Sequence, residues 1–280
     1  AGRRGGQRLL GGRVVRTRNV RGHDLGLERR CGVSVWEALA LLGAGLAAGS
    51  INAIAGGGSL ISFPILVGLG LPGVAANVTN ALSVAPGYIT SALSSRPELA
   101  GQGARIRRII PTVVAGALGG TALLLLTPRE AFDYVVPFLV LGATVLMAFQ
   151  NKLRGLTAGR PSTGLLHVAV FAGGLYGGYF NAAMGVLLIA GLSLVLDEDL
   201  KRIGALKNVL SAAIGVTTVL IYSVFGPVNW AVVAVLVPAT VAGGYVGARL
   251  ARRLPTTALR RLIITFGAVV GLVLLVQAFS

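Results

Sequence analysis

The chain has 280 residues, 54% of them hydrophobic and 12% charged, with a formal net charge of +16. Long, repeated apolar runs in so uncharged a chain exclude an ordinary soluble core and point to an all-α, polytopic integral membrane protein. The positive balance does not indicate nucleic-acid binding: nine of the 25 Lys and Arg residues precede residue 35, and the others lie almost entirely in loops, where they fix topology.

Residues 1–34 are rich in Arg and Gly and show no apolar periodicity. They are expected to form a disordered tail outside the fold, a membrane-surface contact or a targeting segment. The first repeat is placed at 35–150, a basic connecting loop at 151–163 and the second repeat at 164–280. Trp36 to Ala55 reads as the first membrane helix, followed by a short apolar piece from Leu60 to Leu71 containing Pro64. At about 1.5 Å per residue that piece is too short to cross a ~30 Å core unaided. Val74 to Leu93 is the next helix, Arg96 to Arg108 a basic loop, and Ile109 to Leu126 a helix whose Gly116, Gly119 and Gly120 suit close packing. Phe132 to Phe149 completes the first half. The second half reads as Leu165 to Phe180, short Val186 to Leu196, Ile203 to Phe225, a helix beginning at Asn229-Trp230, and Leu259 to Phe279.

Between the first helix and the short piece lies Gly49-Ser50-Ile51-Asn52-Ala53-Ile54-Ala55-Gly56-Gly57-Gly58-Ser59, polar and helix-breaking at membrane depth. Lipid cannot satisfy free backbone groups, so such a stretch is buried in protein or lines a cavity. Discontinuous apolar helices are the best sequence pointer to a transporter's binding site. The pattern recurs. Asn52 and Asn181 lie 129 residues apart, Asn80-Ala81-Leu82-Ser83 and Asn208-Val209-Leu210-Ser211 128 apart, and Pro128 and Pro255 127 apart. So steady an offset predicts two five-segment repeats with discontinuous helices. Five is odd, so if the short pieces complete crossings the repeats are inverted. Loops 96–108, 151–163 and 252–261 then share one face, cytoplasmic by their positive charge. The tail's charge opposes that placement, and re-entrant short pieces would change it.

Cys31 is the sole cysteine, which excludes an internal disulfide framework. His23 and His167 are isolated, so neither a metal centre nor another cofactor is expected, and His167 is given a structural role near a helix start. No Gly-x-x-x-x-Gly-Lys-Ser/Thr loop occurs, and no Ser-His-Asp spacing supports an enzyme. All nine acids lie in the tail, at segment ends or in loops, which disfavours an intramembrane cation site. Lys207 is the deepest ionisable group. It is either a snorkelling interface lysine or a cation facing a cavity. Helices restarting at Gly56, Gly57, Gly58 and Ser59, and at Gly185, offer free N–H groups and a positive dipole end to an anion. Asn52, Asn77, Thr79, Asn80, Ser83, Asn181, Asn208 and Ser211 could donate to its oxygens, or the asparagines could simply cap the broken helices.

These residues resemble the sulfite exporter TauE/SafE family. The resemblance rests on the stretch from Asn52 to Ile61 with Pro64, on Leu71-Pro72 and on Ala76-Asn77-Val78-Thr79-Asn80. In the second half it rests on Gly177-Gly178-Tyr179-Phe180-Asn181, Gly185, Ala205-Leu206-Lys207-Asn208, Asn229-Trp230 and Gly243-Gly244-Tyr245. It implies a multi-pass inner-membrane protein that moves a sulfur-containing anion such as sulfite or an organosulfonate. Asn181-Ala182-Ala183-Met184-Gly185 has fewer glycines than the family's second motif often shows. The leading expectation is a secondary transporter, an exporter, whose partners are its small anionic substrate and the bilayer. The alternative is a non-transporting membrane assembly or scaffold protein contacting its partner through the Arg-rich tail. A homo-oligomer is compatible with either.

Overall fold

In the computed structural model, the described residues are 35–54, 57–155, 162–250 and 256–279. The expectations for the Arg-rich tail, for Gly56 and for Arg252 and Arg253 fall outside them. Among the described residues there are ten α-helices, one 3₁₀ turn and no strand: α1 Val35–Ile54, α2 Ser59–Gly68, α3 Gly73–Ser94, α4 Gly103–Leu126, α5 Arg129–Gly155, α6 Thr163–Phe180, α7 Met184–Val195, α8 Leu200–Phe225, α9 Trp230–Leu250 and α10 Thr256–Phe279. Three described stretches are long and apolar enough to cross a bilayer: Val35–Ala53, Gly103–Leu126 and Lys201–Phe225. α2 and α7 have 10 and 12 residues. At 1.5 Å per residue they measure about 15 and 18 Å, short of a ~30 Å hydrocarbon core.

Several boundaries differ from the sequence expectation by two or three residues, as at the starts of α6, α7, α8 and α10, and three differences have a clear physical reason. The basic stretch 96–108 is not all loop. Pro97–Leu99 is a 3₁₀ turn and α4 begins at Gly103, so Arg105, Arg107 and Arg108 stand on its first turns. Arginine is a good helix former, and its long stem lets the head reach water from a helical backbone. α5 likewise continues past Phe149 to Gly155. α2 stops at Gly68 rather than Leu71, because the chain turns through Gly70 at φ +89°. That left-handed conformation suits glycine and ends the helix.

The helix packing repeats itself. The broadest interfaces are α1 on α9 and α4 on α6, followed by α3 on α8, α5 on α10 and α3 on α9. α2 packs on α1, α3 and α10, and α7 on α6, α8 and α5. Exchanging α1–α5 for α6–α10 maps these pairs onto one another or onto α4 on α8. The contact of α3 with α5 lacks an equally strong counterpart. The two broadest interfaces are also built alike. A Cβ on Gly116, Gly120, Gly174 or Gly178 would run into backbone across the α4–α6 crossing, at Phe171, Leu175, Val113 and Ala117 respectively. One on Gly49 or Gly243 would do the same across α1–α9, at Thr240 and Leu46. Small residues spaced four apart allow this approach, which makes up for the lack of a hydrophobic drive between helices in lipid.

α3 and α8 run antiparallel through the middle. Asn208 Nδ2 donates to Ser95 Oγ at 2.8 Å, Gly215 lies on Ala85 and Tyr88, and Gly226 lies on Val78. Each step forward along α8 is thus a step back along α3, and the pair is centred beside Tyr88 and Gly215.

Candidate functional site

The first break is closed by its own asparagine. Asn52, near the end of α1, accepts the Gly58 N–H on Oδ1 at 2.8 Å. Its side chain is buried, so it replaces the hydrogen bond that water gives a helix end in a soluble protein. Gly57 and Gly58 carbonyls accept from Leu60 and Ile61, which starts α2 at Ser59. A Cβ on Gly58 would collide with the Ala48 carbonyl, so the restart passes hard against α1. Ser59 is 1% exposed and its Oγ has no hydrogen-bond partner among the described residues.

The second break turns on Asn181 and Ala183, both left-handed at φ 40° and 55°. Asn181 caps the end of α6, and Ala183 precedes α7. The Tyr176 hydroxyl donates to the Ala182 carbonyl at 2.7 Å, and the Tyr222 hydroxyl donates to the Gly178 carbonyl. Asn181 accepts from the Tyr88 hydroxyl on Oδ1 at 3.0 Å, while its Nδ2 has no acceptor among the described residues. Tyr88 also lies beside the side chain of Ser59, without a hydrogen bond between them. One tyrosine on α3, at the centre of the α3–α8 pair, therefore links the two breaks. Phe63 of α2 and Phe180 of α6 meet edge-on at 5.3 Å on the same junction.

The remaining candidates divide between the two ends of α3 and α8. Toward the start of α3, Asn77 Nδ2 donates to the Tyr179 carbonyl at 2.8 Å. Asn80 Oδ1 accepts from Ser62 at 2.5 Å. Thr79 Oγ1 accepts the Asn229 N–H at 3.1 Å. Ser83 Oγ donates to the Thr79 carbonyl, and its own carbonyl accepts from Thr240. Apart from the Ser83 hydroxyl, which bonds within α3, these side chains tie α3 to neighbouring segments. Toward the start of α8, Asn208 bonds Ser95, Ser211 is 1% exposed with an unpartnered Oγ, and Gly185 is buried at the start of α7. Lys207 is 4% exposed and has no ion pair or hydrogen bond among the described residues. With Asn208 level with Ser95, fifteen residues separate its level from Asn80, roughly 22 Å of helix. The Asn80 and Lys207 groups are therefore not one cluster. Ser211 lies one turn from Gly215 beside Tyr88, and Lys207 two turns, about 12 Å.

The structure thus joins Ser59 and Asn181, and adds Tyr88, Ser62 and Tyr176, which sequence reasoning did not single out. Tyrosine and serine are common in apolar helices, and only tertiary contact separates these from packing residues. His167 bonds Thr112 at 2.7 Å, tying α6 to α4. Two cavities among the described residues, of about 300 and 280 Å³, are lined by none of the candidates.

Known proteins place the chain. The profile of a family described as sulfite exporter TauE/SafE matches residues 41–274, which include both breaks and every candidate residue. A "Probable membrane transporter protein" of Haemophilus influenzae is 26% identical over 223 residues, covering 79% of this chain and 87% of its own length. The "Probable membrane transporter protein YfcA" of Escherichia coli (strain K12) is 26% identical over 231 residues, covering 81% and 86%. No solved structure matches. With its broken apolar helices and a match across residues 41–274, the chain belongs to the sulfite exporter TauE/SafE family of membrane transporters.

Proposed function

We propose that the protein is a multi-pass inner-membrane secondary transporter that exports a small anion, sulfite or an organosulfonate. One observation carries the reading. Among the described residues, four candidates near the breaks and along α8 keep buried polar groups without partners: Lys207, Ser211, Ser59 and the Asn181 amide. The ionisable one of these four is a cation, while Glu98, Ser193 and Arg202 carry further buried atoms without a hydrogen bond away from the candidates. An unmade hydrogen bond at a buried donor costs about 1–3 kcal/mol, so a fold keeps such groups where a ligand supplies the missing acceptor. Sulfite and sulfonate oxygens are acceptors of the right charge. In this reading the anion is drawn in past Lys207 and Ser211 and is held between the breaks by Ser59, Asn181 and the α2 and α7 restarts. Motion of the two halves about the α3–α8 pair then alternates access.

Efflux of labelled sulfite, sulfate and taurine from proteoliposomes, with and without a pH gradient, tests it. Saturable movement of sulfite or taurine is expected, reduced at least about tenfold in Lys207→Ala, as fits the loss of roughly 1.4 kcal/mol or more of anion binding. Unchanged flux in Lys207→Ala would remove the lysine from the pathway. Movement of none of the three anions would overturn the substrate assignment.

A further inference from the structure

A cavity of about 280 Å³ opens between the starts of α4 and α6 and the end of α7. Its two kinds of wall differ in chemistry. Arg105 and Arg108 line one side, with Ser162 and Thr163 at the start of α6. Leu196 lines the other, with the buried Ile109, Leu166 and Val195 behind it. Arg105 is already engaged, donating to Glu198 Oε1 at 2.9 Å and to Gln102 Oε1 at 3.1 Å. Arg108 is exposed and has no ion pair among the described residues. Ser162 accepts the Leu165 N–H on Oγ at 3.4 Å and the Leu166 N–H on its carbonyl. Thr163 and Gly164 N–H groups remain without an intrahelical acceptor, at the positive end of the α6 dipole.

The cavity therefore offers one uncompensated guanidinium and a helix N-terminus beside an apolar wall formed by Leu196 and the exposed outer face of α6. A free inorganic anion would leave that wall empty. An amphiphile with an anionic head uses both. Leu165 and Val168, next along α6, are 50% and 63% exposed, so the outer face of this helix meets lipid. The arginines belong to the basic stretch expected on the cytoplasmic side, where the leaflet is anionic.

We propose that this cavity is a site for an anionic phospholipid. The phosphodiester sits on Arg108 and the start of α6, and the glycerol and first acyl carbons lie on Leu196 and along the exposed apolar face of α6 at Leu165 and Val168. Because the site joins α4 to α6, an occupant braces the crossing that carries α6 to the second break. This inference does not depend on the transported substrate.

Native mass spectrometry of the full chain in detergent tests it, with phosphatidylglycerol, phosphatidylcholine and inorganic phosphate as separate probes. Wild type is expected to retain phosphatidylglycerol at least several-fold better than phosphatidylcholine. Arg108→Gln is expected to lose that preference and Arg108→Lys to keep it. Arg107→Gln, outside the cavity, is expected to match wild type. Should Arg108→Gln fold poorly, the wild-type thermal midpoint still reads the site: phosphatidylglycerol raises it more than phosphatidylcholine does. Equal retention of the two lipids, or an Arg108→Gln variant that retains phosphatidylglycerol like wild type, would overturn the proposal. So would inorganic phosphate that binds and displaces phosphatidylglycerol, since it would make the site one for a soluble anion.

Discussion

At the residue scale, the two breaks solve the same problem by different means. Asn52 spends its amide oxygen on the Gly58 N–H, and glycine lets the chain pass the Ala48 carbonyl. The second break has an alanine, Ala183, held left-handed at φ 55°. That conformation costs a residue with a Cβ about 1–2 kcal/mol, and it persists because the Tyr176–Ala182 and Tyr88–Asn181 hydrogen bonds hold the turn from both sides. Ala183→Gly should therefore stabilise the protein by about 0.5–1 kcal/mol, after subtracting glycine's greater entropy in the unfolded chain. Thermal unfolding in detergent measures this, and a lowered midpoint would show that the alanine methyl packs too well to lose.

At the element scale, the glycine crossings carry the architecture. Adding one methyl has opposite expected effects according to where the glycine lies. Gly178 faces the Ala117 carbonyl across the α4–α6 crossing, whereas Gly142 on α5 has open space where its Cβ would stand. Gly178→Ala should destabilise by about 1–3 kcal/mol through overpacking. Gly142→Ala should gain up to about 1 kcal/mol of helix propensity. Paired thermal melts check the signs. If both variants melt alike, the crossing is looser than its geometry implies.

At the scale of the whole molecule, the two halves are joined at one end by charge. Glu198 accepts from Arg105 of α4 at 2.9 Å and meets Arg202 of α8 at 2.7 Å. Arg202 also donates to the Ala100 carbonyl at 3.3 Å. The hydrogen bond from Arg105, with the positive charge of Arg202, holds the Glu198 carboxyl below the ordinary glutamate range. A depressed value means that the link is fully present above the unfolded-state pKa and is lost as pH falls through the folded one. Glu198→Gln should therefore lower stability at neutral pH by about 0.2–1 kcal/mol, the usual scale of a part-exposed pair. The difference from wild type should vanish in acid below the glutamate range. Unfolding midpoints of both proteins across pH read this directly, and a gap that persists in acid would assign the effect to packing instead of charge.

The helices, the two breaks and the 129-residue recurrence of Asn52 at Asn181 were legible in the sequence, because apolar runs and Gly or Asn interruptions are local signals. The polar ends of α3 and α8 were legible only as a list of residues. Their repeat relation suggested one shared cluster, yet antiparallel pairing sets Asn80 and Lys207 at opposite ends, and that register depends on contacts such as Asn208 with Ser95 between residues 113 apart. Most of the α3 side chains proved to be helix-to-helix ties, as with Asn80 to Ser62 and Thr79 to Asn229. Tyr88 carried no mark in the sequence, since a tyrosine in an apolar helix is ordinary. Only tertiary packing, which places α3 and α8 across one another at Gly215, turned it into the bridge between the two breaks.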